Sequence, residues 1–201
     1  MAINTYTPAQ RETADFFDSI APQWDAKERP EVFKIVEKII DRIKPGPGDT
    51  VLDAGCGTGI LYPFLTAKGV KDILCVDVSE KMLAELRRKH PAAKTLAAAF
   101  ETADLPADSF TKIIIYNAFP HFEDRPAVFR QAFRLLAKGG TLHIVHSMTR
   151  EELAKIHGKA PEVAEHFIPS DTEMRRLYAE AGFTAITVKN APRFFSCGTK
   201  S

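Results

Sequence analysis

Val51-Leu-Asp-Ala-Gly-Cys-Gly-Thr-Gly59 places three glycines at alternate positions directly after a short apolar run. Glycine in that rhythm marks backbone that turns tightly and lets another group approach closely. Outward from this stretch the pattern alternates. Thr50–Ala54 reads as a buried strand, and residues 60–67 as the helix that follows the glycines. A strand over 71–76 precedes a helix capped by Ser79 that runs through Lys89. A weaker strand covers 94–98 and a strong one covers 112–116, around Ile113, Ile114 and Ile115. A helix over 125–137 stops at Lys138-Gly139-Gly140, before a fifth strand over 141–145. Strand and helix alternating through short connections imply a parallel sheet with right-handed crossovers.

The flanks read differently. Residues 8–20 form a helix opened by Thr7-Pro8, and the segment around Gln23-Trp24-Asp25 reads as loop. Val32, Phe33, Val36, Ile39, Ile40 and Ile43 make a helical stripe over 30–43, ended by Lys44-Pro45-Gly46-Pro47-Gly48. After the fifth strand a helix over 149–156 and one capped by Ser170 or Asp171 lead to two closing strands, 183–189 and 193–197. These two form a hairpin around Asn190-Ala191-Pro192. The expectation is one α/β domain over residues 1–201. It is a Rossmann-like, doubly wound, mostly parallel seven-stranded sheet with helices on both faces and a C-terminal antiparallel hairpin. Residues 1–45 form a helical cap, and 147–169 a segment covering the substrate.

The 201 residues suit one such domain, and 45% hydrophobic with 26% charged residues is an ordinary globular composition. A net charge of +1 supplies no global field for nucleic acid or an anionic membrane. Cys56, Cys75 and Cys197 are odd in number and widely spaced, which argues against a disulfide framework or a zinc site. With no signal-peptide core at the start and no run of 18 apolar residues, a cytoplasmic location is expected.

The neighbours of the glycines select what they hold. A P-loop needs GxxxxGK[ST], and Ile60-Leu61 follows Gly59 with no lysine. A dinucleotide loop needs a third glycine where Ile60 stands, and Asp53 would repel a pyrophosphate. A cationic nucleoside removes both objections. S-adenosylmethionine (SAM) carries a sulfonium and an ammonium but no phosphate, so Asp53 could hold its ammonium side directly or through water. Asp77, ending the second strand, is placed to bind both ribose hydroxyls, as the acid about 20 positions on does in dinucleotide folds.

"VLDAGCGTG", "VDVSEKML", "ADLP", "KIIIYNAFPHFED" and "RLLAKGGTLHI" together resemble the class I SAM-dependent methyltransferase family over roughly residues 16–182. The similarity is greatest to its small-molecule, methyltransferase type 11-like branch, through Phe17-Asp18, Ala21 and Trp24-Asp25. The resemblance implies that Asp53, Gly55, Cys56, Gly57 and Gly59 form the donor loop and that Asp77 is the ribose acid. It implies that Val78 and Met82 pack on the adenine, that Glu101 and Thr102 lie at its amine, and that Asn117 opens the methyl-transfer pocket. Cys56 reads as a small loop residue rather than a nucleophile. Phe17 and Trp24 are candidates for a lid.

His121 and His146 end the fourth and fifth strands at the same sheet edge, and either could be a general base or a pocket wall, with His157 folding back over them. His143 and Val145 share the opposite face of their strand from Ile144 and His146. No metal is expected, because no metal-ligand spacing is present. The expected activity is methyl transfer from SAM to a small-molecule acceptor, leaving S-adenosylhomocysteine. A non-catalytic SAM-binding partner protein, or a nucleotide-dependent oxidoreductase disfavoured by Ile60 and Asp53, are the alternatives. Nucleic acid is not an expected partner, since the Asn/Asp-Pro-Pro-aromatic motif of amino-methylases is absent from "YNAFPHF". The acceptor atom and the oligomeric state are left open.

Overall fold

Seven strands carry the molecule, β1 (Thr50–Ala54), β2 (Asp72–Asp77), β3 (Lys94–Ala97), β4 (Phe110–Tyr116), β5 (Leu136–Val145), β6 (Phe183–Lys189) and β7 (Phe195–Lys200). They form one sheet in the order β3-β2-β1-β4-β5-β7-β6. This computed structural model describes residues 6–27, 30–157 and 167–201. The first five strands pair in parallel, and β7 enters antiparallel between β5 and β6. The strand order reverses between β1 and β4. In an open α/β sheet, a crevice forms at the carboxyl ends of strands at such a reversal.

The helices are α1 (Pro8–Ile20), α2 (Pro30–Ile43), α3 (Tyr62–Ala67), α4 (Glu80–Lys89), α5 (Arg125–Leu135), α6 (Arg150–His157) and α7 (Asp171–Glu180). The stripe on α2 buries Val36, Ile39, Ile40 and Ile43 together with Leu65 of α3 and Leu83 and Leu86 of α4. On the other face Phe129 and Leu135 of α5 and Leu177 and Tyr178 of α7 pack with Ile113, Ile115 and Ile144. The period-two alternation of β4 divides it between these layers, Ile113 and Ile115 to one side and Ile114 and Tyr116 to the other. Caps delimit the helices as the residue types require. Thr7 accepts from the Gln10 backbone N–H while the Gln10 side chain accepts from the Thr7 N–H, and Ser79 and Ser170 accept from Met82 and Glu173.

Several boundaries differ from the sequence reading. Residues 21–27 are a 3-10 helix rather than a loop. α3 begins at Tyr62, because turn bonds from Gly59 N–H to the Cys56 carbonyl and from Tyr62 N–H to the Gly59 carbonyl occupy the preceding residues. β5 begins at Leu136, immediately after α5, and contains the glycines read as a helix stop. Gly139 has φ +79°, and the ladder to β4 shifts register between Phe110 and Lys112, so the strand absorbs them as an irregularity. β7 starts two residues later than expected and runs on to Lys200. No described helix is long and apolar enough to cross a membrane.

Candidate active site

The loop after β1 is bonded to β2 before any ligand is considered. Gly55 and Cys56 both donate backbone N–H bonds to the Val76 carbonyl, at 2.8 and 3.1 Å. Gly57 donates to Asp77 Oδ2 at 2.8 Å, and Ser79 N–H donates to Asp77 Oδ1 at 2.9 Å. Gly55 has φ +71°, and a β-carbon there would lie 2.4 Å from that of Ala118, so only glycine lets the β1 and β4 ends meet. A β-carbon on Gly57 would point into open space. Its backbone is therefore accessible to a ligand.

Above this loop is a cavity of about 510 Å³. Gly55, Cys56, Gly57, Asp77, Val78, Met82, Glu101, Asn117 and His121 all reach its wall, so most of the residues singled out from the sequence converge on one space. Four do not. Gly59 packs against Leu86, and a β-carbon on Gly59 would lie only 2.7 Å from the leucine Cγ. Thr102 lies in an adjoining cleft of about 830 Å³. His146 is buried away from the wall, with Nδ1 accepting from Met148 N–H at 3.2 Å. Asp53, near the end of β1, is 1% exposed and does not reach the cavity wall. Thus His121 and His146 do not share a space. The His157 side chain, like residues 158–166 of the expected covering segment, lies outside the described residues, and no described residue of 147–169 lines the cavity.

The electrostatics of the loop are one-sided. Among the described residues, neither carboxylate oxygen of Asp53 has a hydrogen-bond partner. Burial, and then the charge of Asp77, push its pKa up to about 8. Asp77 is pushed up to about 6, again by burial, against the lowering effect of the N–H bonds from Ser79 and Gly57. Glu101 is also raised by burial, although backbone N–H groups, including those of Glu123 and Asp124, donate to it. Buried carboxylates without a cation are costly, and a positively charged ligand relieves that cost.

His143 lies on the α2 side of β5, as the alternation predicts. Burial, with Lys112 and Arg42 nearby, lowers its pKa to about 3, so it is a neutral buried residue that lines neither cavity. Asn117 takes φ +56° at the end of β4, a conformation asparagine tolerates, and its Oδ1 accepts from Ser147 N–H at 2.8 Å, joining the β4 and β5 ends. Among the described residues no group of three His, Cys, Asp or Glu could hold a metal ion.

The roof comes from the N-terminal segment. Gln10, Thr13, Phe17, Ile20, Gln23 and Trp24 line the cavity, with Phe17 edge-on to both Trp24 and His121 at 5.8 and 5.2 Å. Two aspartates tie this segment to the start of α4 and to the glycine loop. Asp18 accepts from the Ser79 hydroxyl at 2.5 Å and from Lys81 N–H. Asp25 accepts from the Thr58 hydroxyl at 2.6 Å and pairs with Lys89 at 2.7 Å. The Tyr6 hydroxyl donates to the Val78 carbonyl. Sequence reasoning assigned no role to Asp18 or Asp25. Their regular spacing with Phe17 and Trp24 was the available signal.

A glycine-rich loop after β1, an acid at the end of β2 and this strand order define the class I SAM-dependent methyltransferase fold. Residues 52–144 match the family model described as "Methyltransferase domain". The chain is 32% identical over 161 residues to methyltransferase GfsG of Streptomyces halstedii, covering 77% of this chain and 55% of that protein. It is 28% identical over 113 residues to phosphoethanolamine N-methyltransferase 3 of Arabidopsis thaliana, covering 54% of this chain and 23% of that protein. The chain thus spans less than two thirds of the length of these curated relatives. Magnesium protoporphyrin IX methyltransferase of Synechocystis PCC 6803, solved with bound S-adenosylhomocysteine, shares the fold at a TM-score of 0.70 and 18% identity. The superposition covers 96% of this chain and all of that one.

Proposed function

We propose that this chain transfers the methyl group of SAM to a small-molecule acceptor. The observation that carries the reading is the pair Asp53 and Asp77 at the glycine loop of an open cavity. These are two buried carboxylates with no cation set against either of them among the described residues. The residues fit the donor. The Asp77 oxygens, fixed by Gly57 and Ser79, would accept from ribose hydroxyls, Gly57 would leave room for the nucleoside, and Val78 and Met82 would supply an apolar wall for the purine. Glu101 lies on the same wall. Asp53 acts as a charge without reaching the cavity wall. SAM, when bound, supplies a methyl group already activated by the sulfonium.

What remains for the chain is alignment and exclusion of water. Asn117 and His121 form the acceptor side of the cavity. His146 holds the end of β5. The roof formed by Phe17 and Trp24 limits solvent. The acceptors named for relatives, such as phosphoethanolamine, support a small molecule. Calorimetric titration is expected to show binding of SAM and S-adenosylhomocysteine but not NAD, and preferential NAD binding would overturn the reading. Transfer of labelled methyl from SAM to a metabolite separates an enzyme from a non-catalytic SAM-binding protein.

The raised carboxylates make donor binding a proton-linked event. Asp53 keeps its proton in the folded chain to about pH 8, whereas an unfolded aspartate loses it near ~3.9. Its contribution to stability is most favourable below that lower value and declines as pH rises towards 8. A cation at the loop lowers its pKa, so binding near pH 7 releases a proton, and the release fades well above pH 8. Binding enthalpies measured in phosphate and in Tris should therefore differ at pH 7. Asp53→Asn should remove most of that difference. Equal enthalpies for the unsubstituted protein would show that no proton moves.

A further inference from the structure

Several residues of the cavity wall are not taken up by the donor contacts proposed above, and they share a distinct chemistry. They are the rings of Phe17, Tyr116 and Phe122 with the carboxylate of Glu123. None of the described residues lining the cavity is lysine or arginine. The cleft that adjoins it shares Glu101, His121, Phe122 and Glu123 with the cavity, and adds Asp124 and Glu173. Its one cation among the described residues, Arg125, is occupied. The guanidinium lies 4.2 Å from the centre of the Phe167 ring, donates to the Phe167 carbonyl, and is set against Glu173.

Aromatic rings beside carboxylates recognise an ammonium group on an apolar body, the rings through their negative faces and the acids through direct charge. On the cavity wall itself, where no lysine or arginine stands, a phosphate or carboxylate held beside Glu123 would meet like charge, while Asp124 and Glu173 of the cleft are paired with Arg130 and Arg176. Glu123 is the acid placed for contact. It is open to the cleft, reaches the cavity wall, and is held by a hydrogen bond from the Thr7 hydroxyl at the start of α1.

We propose that the methyl acceptor is an amine with an apolar body, that it enters through the acid-lined cleft as an ammonium ion, and that Glu123 selects it. This rests on the methyl-transfer reading and names the substrate class of that same site. The ammonium gives one proton to the Glu123 carboxylate, which passes it to the solvent. The freed nitrogen lone pair then forms the new N–C bond as the methyl carbon–sulfur bond breaks and its electrons return to sulfur. An ammonium ion and a sulfonium become a methylated ammonium ion, a neutral thioether and one released proton.

The test is transfer of a deuterated methyl from SAM into a metabolite extract by the whole chain, with products identified by mass and by their charge at pH 7. Labelled products that are amines, together with a KM for the amine raised about tenfold in Glu123→Gln at unchanged SAM affinity, are the expected result. Glutamine keeps an acceptor for the Thr7 hydroxyl, so the variant retains that contact. Labelled acids, phosphates or alcohols without labelled amines would overturn the amine assignment and leave methyl transfer standing. An unchanged KM in the variant would remove Glu123 from selection. SAM binding with no labelled product at all would overturn the methyl-transfer reading and this inference with it.

Discussion

Asp77→Ala is expected to weaken SAM binding about 100- to 10,000-fold in calorimetry. Each hydrogen bond to a charged group contributes ~1.5–3 kcal/mol, and the proposed ribose contact involves two. The side chain also holds the loop itself, through Gly57 N–H at 2.8 Å and Ser79 N–H at 2.9 Å. Removing it therefore loosens the cradle and deletes a contact at once. Asp77→Asn separates the two effects. The amide can keep one of the N–H bonds but offers a single acceptor, so an intermediate loss is expected. Affinity unchanged in both variants would refute the ribose assignment.

Gly55→Ala is expected to destabilise the chain by about 2–5 kcal/mol and to lower its melting temperature by about 5–15 °C. Two costs add. At φ +71° an alanine is strained, and its β-carbon would stand 2.4 Å from that of Ala118, where strand ends rather than flexible side chains would have to move. Gly48→Ala is the control, because no atom lies within 4 Å of a β-carbon placed there. Thermal melts of the two variants side by side check the prediction, and equal melting temperatures would show that the β1 and β4 ends part without cost.

The parallel core was legible because its signals are local. Apolar runs of strand length, Ser79 before a helix, and glycines after β1 each act within a few residues, and β1, α1 and α2 lie where the residue pattern puts them. The extra length of β5 was not legible, because Gly139-Gly140 is a stop signal locally, and only pairing across to β4 makes it strand. The glycine loop was readable as far as Asp77, whose oxygens the Gly57 and Ser79 N–H groups hold. The position of Asp53 off the cavity wall depends on how the β1 end packs, which no spacing encodes. The same holds for His146. Alternation gave its face of β5, but whether that face opens on a cavity is decided by the residues packed over it.

The contacts of Asp18 and Asp25 divide the chain into two trades. On the donor reading proposed above, the sheet and its loop serve the donor, while α1 and the short 3-10 turn form much of the cavity wall, and the two aspartates rivet one to the other across 61 and 33 residues of sequence. In evolutionary terms such a joint is a docking standard. Any N-terminal segment that keeps Asp18 and Asp25 in place can be re-cut along Gln10, Thr13, Phe17 and Trp24 without disturbing a strand of the sheet. Divergence of acceptor preference among proteins of this build would then be concentrated in the first few turns of the chain, while the part that handles the methyl donor stays unaltered.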